Sequence, residues 1–391
     1  MAFDFDTLLP LRGRHTSNYD NIKRTYGVDD PDAIAMWVAD MHFKAAPAIL
    51  DALRDEIDWG YCGYFANTAP VDEAVASWLK ERHGWEIDPS WVRYTHGVIS
   101  GYGDIITAYS EPGDGVIVFS PVYHAFFRQI EAMGRLVIES PLVIENGRFE
   151  MDLEGLAASL EGHEKIVTLC SPHNPGGRIW SAEELRALAE FCAAHDLILI
   201  SDEIHMDLTF PGATFVPTIV AAPEHVGRIA VLTAASKAFN VAGAETGIAI
   251  YPTEEMRETL TPVILDREST PNRYGMAIIE AAFSGGHEWM DAAQTYLAEN
   301  FRIFKDRMDA IPGVSVMDME ATYLTWVSFE GLGMDDTELL KRSVEDARVI
   351  PNPGTQFGIG GSGHMRFNLA LPRKKLLEAI ERLEAAFRDV Q

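Results

Sequence analysis

The 391 residues carry 32 lysines and arginines against 59 aspartates and glutamates, a formal charge of −27, with 47% hydrophobic and 23% charged side chains. That hydrophobic share excludes intrinsic disorder, and the length is enough for two or three domains with cores of their own. Acidic residues spread along the whole chain exclude a nucleic-acid backbone or an anionic membrane surface as partner, so an anionic ligand needs a local site.

Met1-Ala2-Phe3-Asp4-Phe5-Asp6 has no basic stretch leading into an apolar one, and the apolar runs fall short of a bilayer span. Leu8–Asp32 is loop-rich. Val92–Tyr94 reads as a short strand, followed by the turn His96-Gly97-Val98-Ile99-Ser100-Gly101. Further apolar runs predict strands at Val116–Ser120, Lys165–Cys170, Leu197–Ser201, Ile229–Thr233 and Thr246–Tyr251. Between two of these, Ser181–His195 has helical period, with Ser181 as N-cap and Glu184 three residues on, the pattern of a capping box. Strands alternating with helices predict an α/β fold with a mostly parallel sheet flanked by helices. After Gly285-Gly286 a long helix over His287–Ile311 leads into shorter alternating segments such as Tyr323–Phe329, which predicts a smaller α+β domain. The expected division is residues 1–45 joining the small domain, 46–286 as the large domain and 287–391 as the small one. Cys62, Cys170 and Cys192 are odd in number and widely spaced, so neither a disulfide framework nor a zinc site is expected. A reducing, cytoplasmic setting fits that usage.

Four short segments carry chemistry. Ser171-Pro172-His173-Asn174-Pro175-Gly176-Gly177-Arg178 follows the run ending at Cys170, at the carboxyl end of a strand, where open α/β sheets bind ligands; the same Asn-Pro-Gly is also a common turn. Ser201-Asp202-Glu203-Ile204-His205 places an acid at the tip of a buried strand, suited to a cationic ring nitrogen and compatible also with a metal or with simple solvation. Ala234-Ala235-Ser236-Lys237-Ala238-Phe239-Asn240 offers a lysine among small residues, placed to form a Schiff base or else to lie on the surface. Met365-Arg366-Phe367-Asn368-Leu369 sets an arginine in an apolar run, where its fork suits a substrate carboxylate or an internal acid. The first three lie at strand ends of one sheet, with Asn174, Asp202 and Lys237 spaced 28 and then 35 residues apart.

This ordered set resembles the fold-type I pyridoxal 5′-phosphate (PLP) enzymes and, within them, the MalY/PatB-type cystathionine β-lyases. The likeness takes in Met36-Trp37-Val38-Ala39-Asp40-Met41 and Gly60-Tyr61-Cys62-Gly63-Tyr64 as well, and so runs through essentially the whole chain. The resemblance implies that Lys237 holds PLP and shuttles the Cα proton, that Asp202 pairs with the pyridinium nitrogen, and that Asn174 bonds the ring oxygen. It implies that Tyr123 stacks on the ring and has a catalytic part, and that His205 and Ser236 lie beside the cofactor. The amides of Gly97, Val98 and Ile99, at a helix start, then suit the phosphate. Arg366 would bind the substrate carboxylate, with Asn174, Tyr64 and Val38 lining the substrate. Tyr64 would reach the cofactor of a neighbouring subunit, making the enzyme a homodimer.

Two departures stand out. His42 replaces the acid usual after Ala-Asp-Met, and Gly243-Ala244-Glu245-Thr246 lacks the basic or amide residue that relatives carry after Gly-Leu. The expected activity is a carbon–sulfur β-lyase cleaving L-cystathionine or a related L-cysteine S-conjugate to a thiol, pyruvate and ammonia. His205, where aspartate-type aminotransferases carry tyrosine, tilts the reading towards the lyase. A class I/II aminotransferase is the alternative, and a purely regulatory binding protein finds no surface singled out for it. No metal is expected.

Overall fold

The computed structural model describes residues 3–267 and 272–388. Its centre is a seven-stranded sheet in the order Val92–Thr95, Gly247–Ile250, Ile229–Thr233, Ile198–Asp202, Glu164–Cys170, Gly115–Ser120 and Leu136–Pro141. Six strands run the same way. Gly247–Ile250 alone is antiparallel, to both of its neighbours. The sequence pattern finds this strand but not its direction, because a fully buried run looks the same either way. Leu136–Pro141 was not expected: it is an edge strand, half-exposed and broken by Glu139 and Ser140, so it lacks the apolar signature of the central strands.

Side chains alternate across the sheet as its pleat requires. Ile117, Val167, Leu199 and Val231 pack into a core with Trp78, Trp180 and Phe239 on one face. Val116, Val118, Ile166, Ile200 and Leu232 pack with Tyr102 and Phe126 on the other. Each such side chain contributes about 1.5–3 kcal/mol by leaving water. Both faces being covered is what makes these strands continuously apolar. The helix Ala182–Ala194 starts as predicted, with Ser181 Oγ accepting from Glu184 N–H and the Glu184 carboxylate accepting from Ser181 N–H.

A second sheet has the order Ser315–Val316, Leu324–Ser328, His364–Asn368, Asn352–Pro353 and covers its own apolar core with the helices His287–Met308 and Arg373–Phe387. Near the N-terminus, Ile34–Ala35 pairs in parallel with Val349–Ile350. Among the described residues no helix is long and apolar enough to cross a membrane. All three cysteines are free thiols.

Candidate active site

The large sheet reverses its strand order between Gly115–Ser120 and Glu164–Cys170, and ligands bind beyond the carboxyl ends of strands at such a point. A cavity of about 440 Å³ opens there. Its wall includes Gly97, Val98, Ile99, Tyr123, Asn174, Asp202, His205, Ser236 and Lys237, drawn from five separate loops.

Asp202 ends the strand Ile198–Asp202 and is buried. One carboxylate oxygen accepts from Ile204 N–H at 3.2 Å, and no cation pairs with it among the described residues. Burial pushes its carboxyl up to about 7, Glu203 adding to the rise while Lys237 opposes it. Lys237 sits in the short helical turn Ala235–Ala238 after the strand Ile229–Thr233. Its Nζ donates to the carbonyl of Ala39 at 2.9 Å and finds no carboxylate among the described residues. Burial holds the ammonium below the ordinary lysine range.

Arg366 is buried and its partners are all neutral: it donates to Asn174 Oδ1 at 3.0 Å, to the Trp37 carbonyl at 2.8 Å and to Asn352 Oδ1 at 2.6 Å. Nε has no partner, and the guanidinium lies 4.9 Å from the centre of the Phe357 ring. The choice between an internal acid and an external carboxylate is thereby narrowed, because no acid of the described chain meets it. Burial lowers Arg366 to about 10. His205 is buried with Nδ1 unpartnered, and burial, helped by Lys237 and Arg366, lowers it to about 3, so the ring is neutral at physiological pH.

At the far end, Gly97 takes φ +74° and precedes the helix Val98–Tyr109, whose first turn no side chain caps. Gly97, Val98 and Ile99 line the cavity at this positive helix end, a ready place for an anion.

Three expected residues stand differently. Val38 does not line the cavity; its carbonyl instead accepts from Asn368 Nδ2 at 2.7 Å. Arg366 lies behind Asn174 rather than in the wall. Tyr64 is 91% exposed and outside the cavity.

Residues without an assigned role in the sequence reading hold the N-terminal segment in place. Asn368 Nδ2 donates also to Asp40 O, Tyr323 Oη to Ala39 O, and Asn240 clasps Met41 and Phe43 through three backbone hydrogen bonds. Both asparagines lie in the quoted motifs, four residues or fewer from Lys237 or Arg366, and that proximity was the available signal. Asn352, which holds Arg366, had none.

The family model for aminotransferase class I and II matches residues 40–383. The chain belongs to this family. Among its members the chain is similar to cystathionine beta-lyase PatB of Bacillus subtilis, 34% identical with 98% of this chain and 99% of that one covered. It is also similar to protein MalY of Escherichia coli, at 32% identity over 100% of both chains. Of solved structures, cystalysin from Treponema denticola, which contains a pyridoxal 5′-phosphate cofactor, superposes with a TM-score of 0.96 at 31% identity, covering 100% of both chains.

Proposed function

We propose that this protein is a PLP-dependent carbon–sulfur β-lyase that cleaves L-cystathionine or a related L-cysteine S-conjugate to a thiol, pyruvate and ammonia. The observation that carries the reading is a set of buried charged groups that no ion pair among the described residues meets: Asp202 and Lys237 in one cavity and Arg366 behind it. Buried charges are ordinarily paired, so this set calls for a ligand bearing a ring cation, a carbonyl and a carboxylate. PLP with an amino-acid substrate has those groups, and the similar PatB of Bacillus subtilis is named as a cystathionine beta-lyase.

Asp202 would hold the pyridine nitrogen, the Gly97–Ile99 amides the phosphate, Tyr123 and His205 the ring faces and edge, and Lys237 the cofactor's carbonyl carbon. When bound, PLP supplies an electron sink for charge developing at the substrate Cα. Once the substrate amine displaces it from the cofactor's carbonyl carbon, Lys237 Nζ, which burial favours in its neutral form, would take the Cα proton, and the β-carbon–sulfur bond would then break with its electron pair leaving on the thiolate. Arg366 and Asn174 hold the α-carboxylate and so fix which Cα bond faces Lys237. The straps from Asn240, Asn368 and Tyr323 keep the Ala39 carbonyl against Lys237 Nζ. A neutral His205 adds no positive charge beside the one that Asp202 must meet.

The finer points belong to the same proposal: residues 46–286 form the cofactor domain and 287–391 with 1–45 the smaller one. The enzyme works as a cytoplasmic homodimer in which the exposed Tyr64 enters the partner's site. Because the family match is to aminotransferases, that activity is the second reading. PLP-loaded protein given L-cystathionine and other cysteine S-conjugates without any keto acid separates them. The lyase releases pyruvate, ammonia and thiol in equal amounts over many turnovers. One turnover per site, restarted only by added keto acid, establishes the aminotransferase instead.

A further inference from the structure

The antiparallel strand Gly247–Ile250 brings its first residue, not its last, to the cavity edge of the sheet. Gly247 pairs with Thr95, two residues before Gly97, and Glu245 stands two residues before Gly247. The approach is close: a Cβ on Gly247 would lie 2.7 Å from the carbonyl carbon of Gly97 and 2.8 Å from the amide nitrogen of Val98. Glu245 itself is held in the left-handed region, φ +47°, with its N–H donating to Ala242 O at 3.1 Å. Glu245 lines the same cavity as Gly97, Val98 and Ile99, and its side chain has no hydrogen bond or ion pair among the described residues. A carboxylate without a partner among the described residues therefore shares a cavity with amides suited to an anion.

Resting on the cofactor reading above, we propose that Glu245 acts as a repulsive residue towards the cofactor's phosphate, so that this chain holds PLP weakly and in a salt-dependent way. A phosphate monoester carries nearly two negative charges at neutral pH, and a like charge on the same solvent-facing wall opposes its binding. The amides and helix end supply the attraction, and Glu245 subtracts from it. The consequence is a protein whose cofactor-loaded fraction follows the supply of PLP instead of staying saturated.

The test is equilibrium dialysis of the full-length chain, freed of cofactor with hydroxylamine, against PLP and against pyridoxal, which lacks the phosphate. Wild type, Glu245→Gln and the charge-preserving Glu245→Asp are compared at low and high sodium chloride. Glu245→Gln is expected to bind PLP roughly tenfold more tightly at low salt, with the gain shrinking as salt rises. Pyridoxal affinity stays the same, and Glu245→Asp follows the wild type. An unchanged PLP affinity in Glu245→Gln, or an equal gain for pyridoxal, overturns the inference while leaving the cofactor reading intact. Failure of all three proteins to bind either compound overturns the cofactor reading and this inference with it.

Discussion

Arg178 and Arg366 are the same residue, each 3% exposed, and they end in opposite situations. Arg178 donates to the Glu184 carboxylate and to the Phe149 and Ile179 carbonyls, and stacks 4.0 Å from the centre of the Trp180 ring. Arg366 meets three neutral oxygens and no acid among the described residues. The carboxylates divide in the same way: Asp104 is met by Arg267, whereas Asp202 forms no ion pair among the described residues. A charge paired within the chain holds the fold; a charge buried and left without its opposite is kept for something that arrives from outside.

The largest effect expected is at Lys237. Lys237→Ala should lower pyruvate release by about 10³-fold or more, since it removes both the cofactor anchor and the base, with the melting temperature of the cofactor-free chain little changed. Retained β-elimination would place the base elsewhere.

The arginine pair offers a sharper contrast. Arg366→Met should cost about 10²-fold in kcat/KM with stability within about 1 kcal/mol of wild type, because the uncompensated charge disappears together with its hydrogen bonds. Arg178→Met should destabilise by about 2 kcal/mol, discounted because Glu184 can reach water, and spare kcat/KM. Equal losses of stability in the two variants would erase the distinction.

Asp202 predicts a pH effect in the cofactor-free chain. Its carboxyl is raised in the folded protein from an ordinary 3.8 to about 7, so the folded state binds the extra proton between those values. This group's contribution is complete below about pH 4 and is lost as pH rises through 7. Asp202→Asn should flatten that part of a melting-temperature profile, and PLP should flatten it in the wild type. A steep profile in the variant would assign the effect to another group.

The smallest change in stability is expected from Tyr64→Ala, under about 0.5 kcal/mol for so exposed a side chain. If the partner's site uses the residue, activity should nonetheless fall about tenfold; unchanged activity would remove Tyr64 from the dimer proposal.

Most of this arrangement is legible along the chain because a buried parallel strand announces itself by a continuous apolar run, and the loop after it is where ligands bind. Asn174, Asp202 and Lys237 follow three such runs. What lies across the fold is not legible. Asn352 and Tyr323 reach the site only through the pairing of the second sheet and the placement of the N-terminal segment. Glu245 is visible in the sequence as a departure, but its place in the cavity wall with Gly97 depends on the reversed direction of Gly247–Ile250, which burial conceals. The edge strand Leu136–Pro141 is lost for the opposite reason, since too much of it is polar and exposed.

The most direct test of the central claim is where the cofactor attaches. Holding the loaded protein in borohydride converts a lysine–PLP linkage into a stable amine, and peptide mass spectrometry then locates it. The account predicts the added mass on Lys237 and on no other lysine. A label on a lysine outside this cavity, or no label at all, would contradict it.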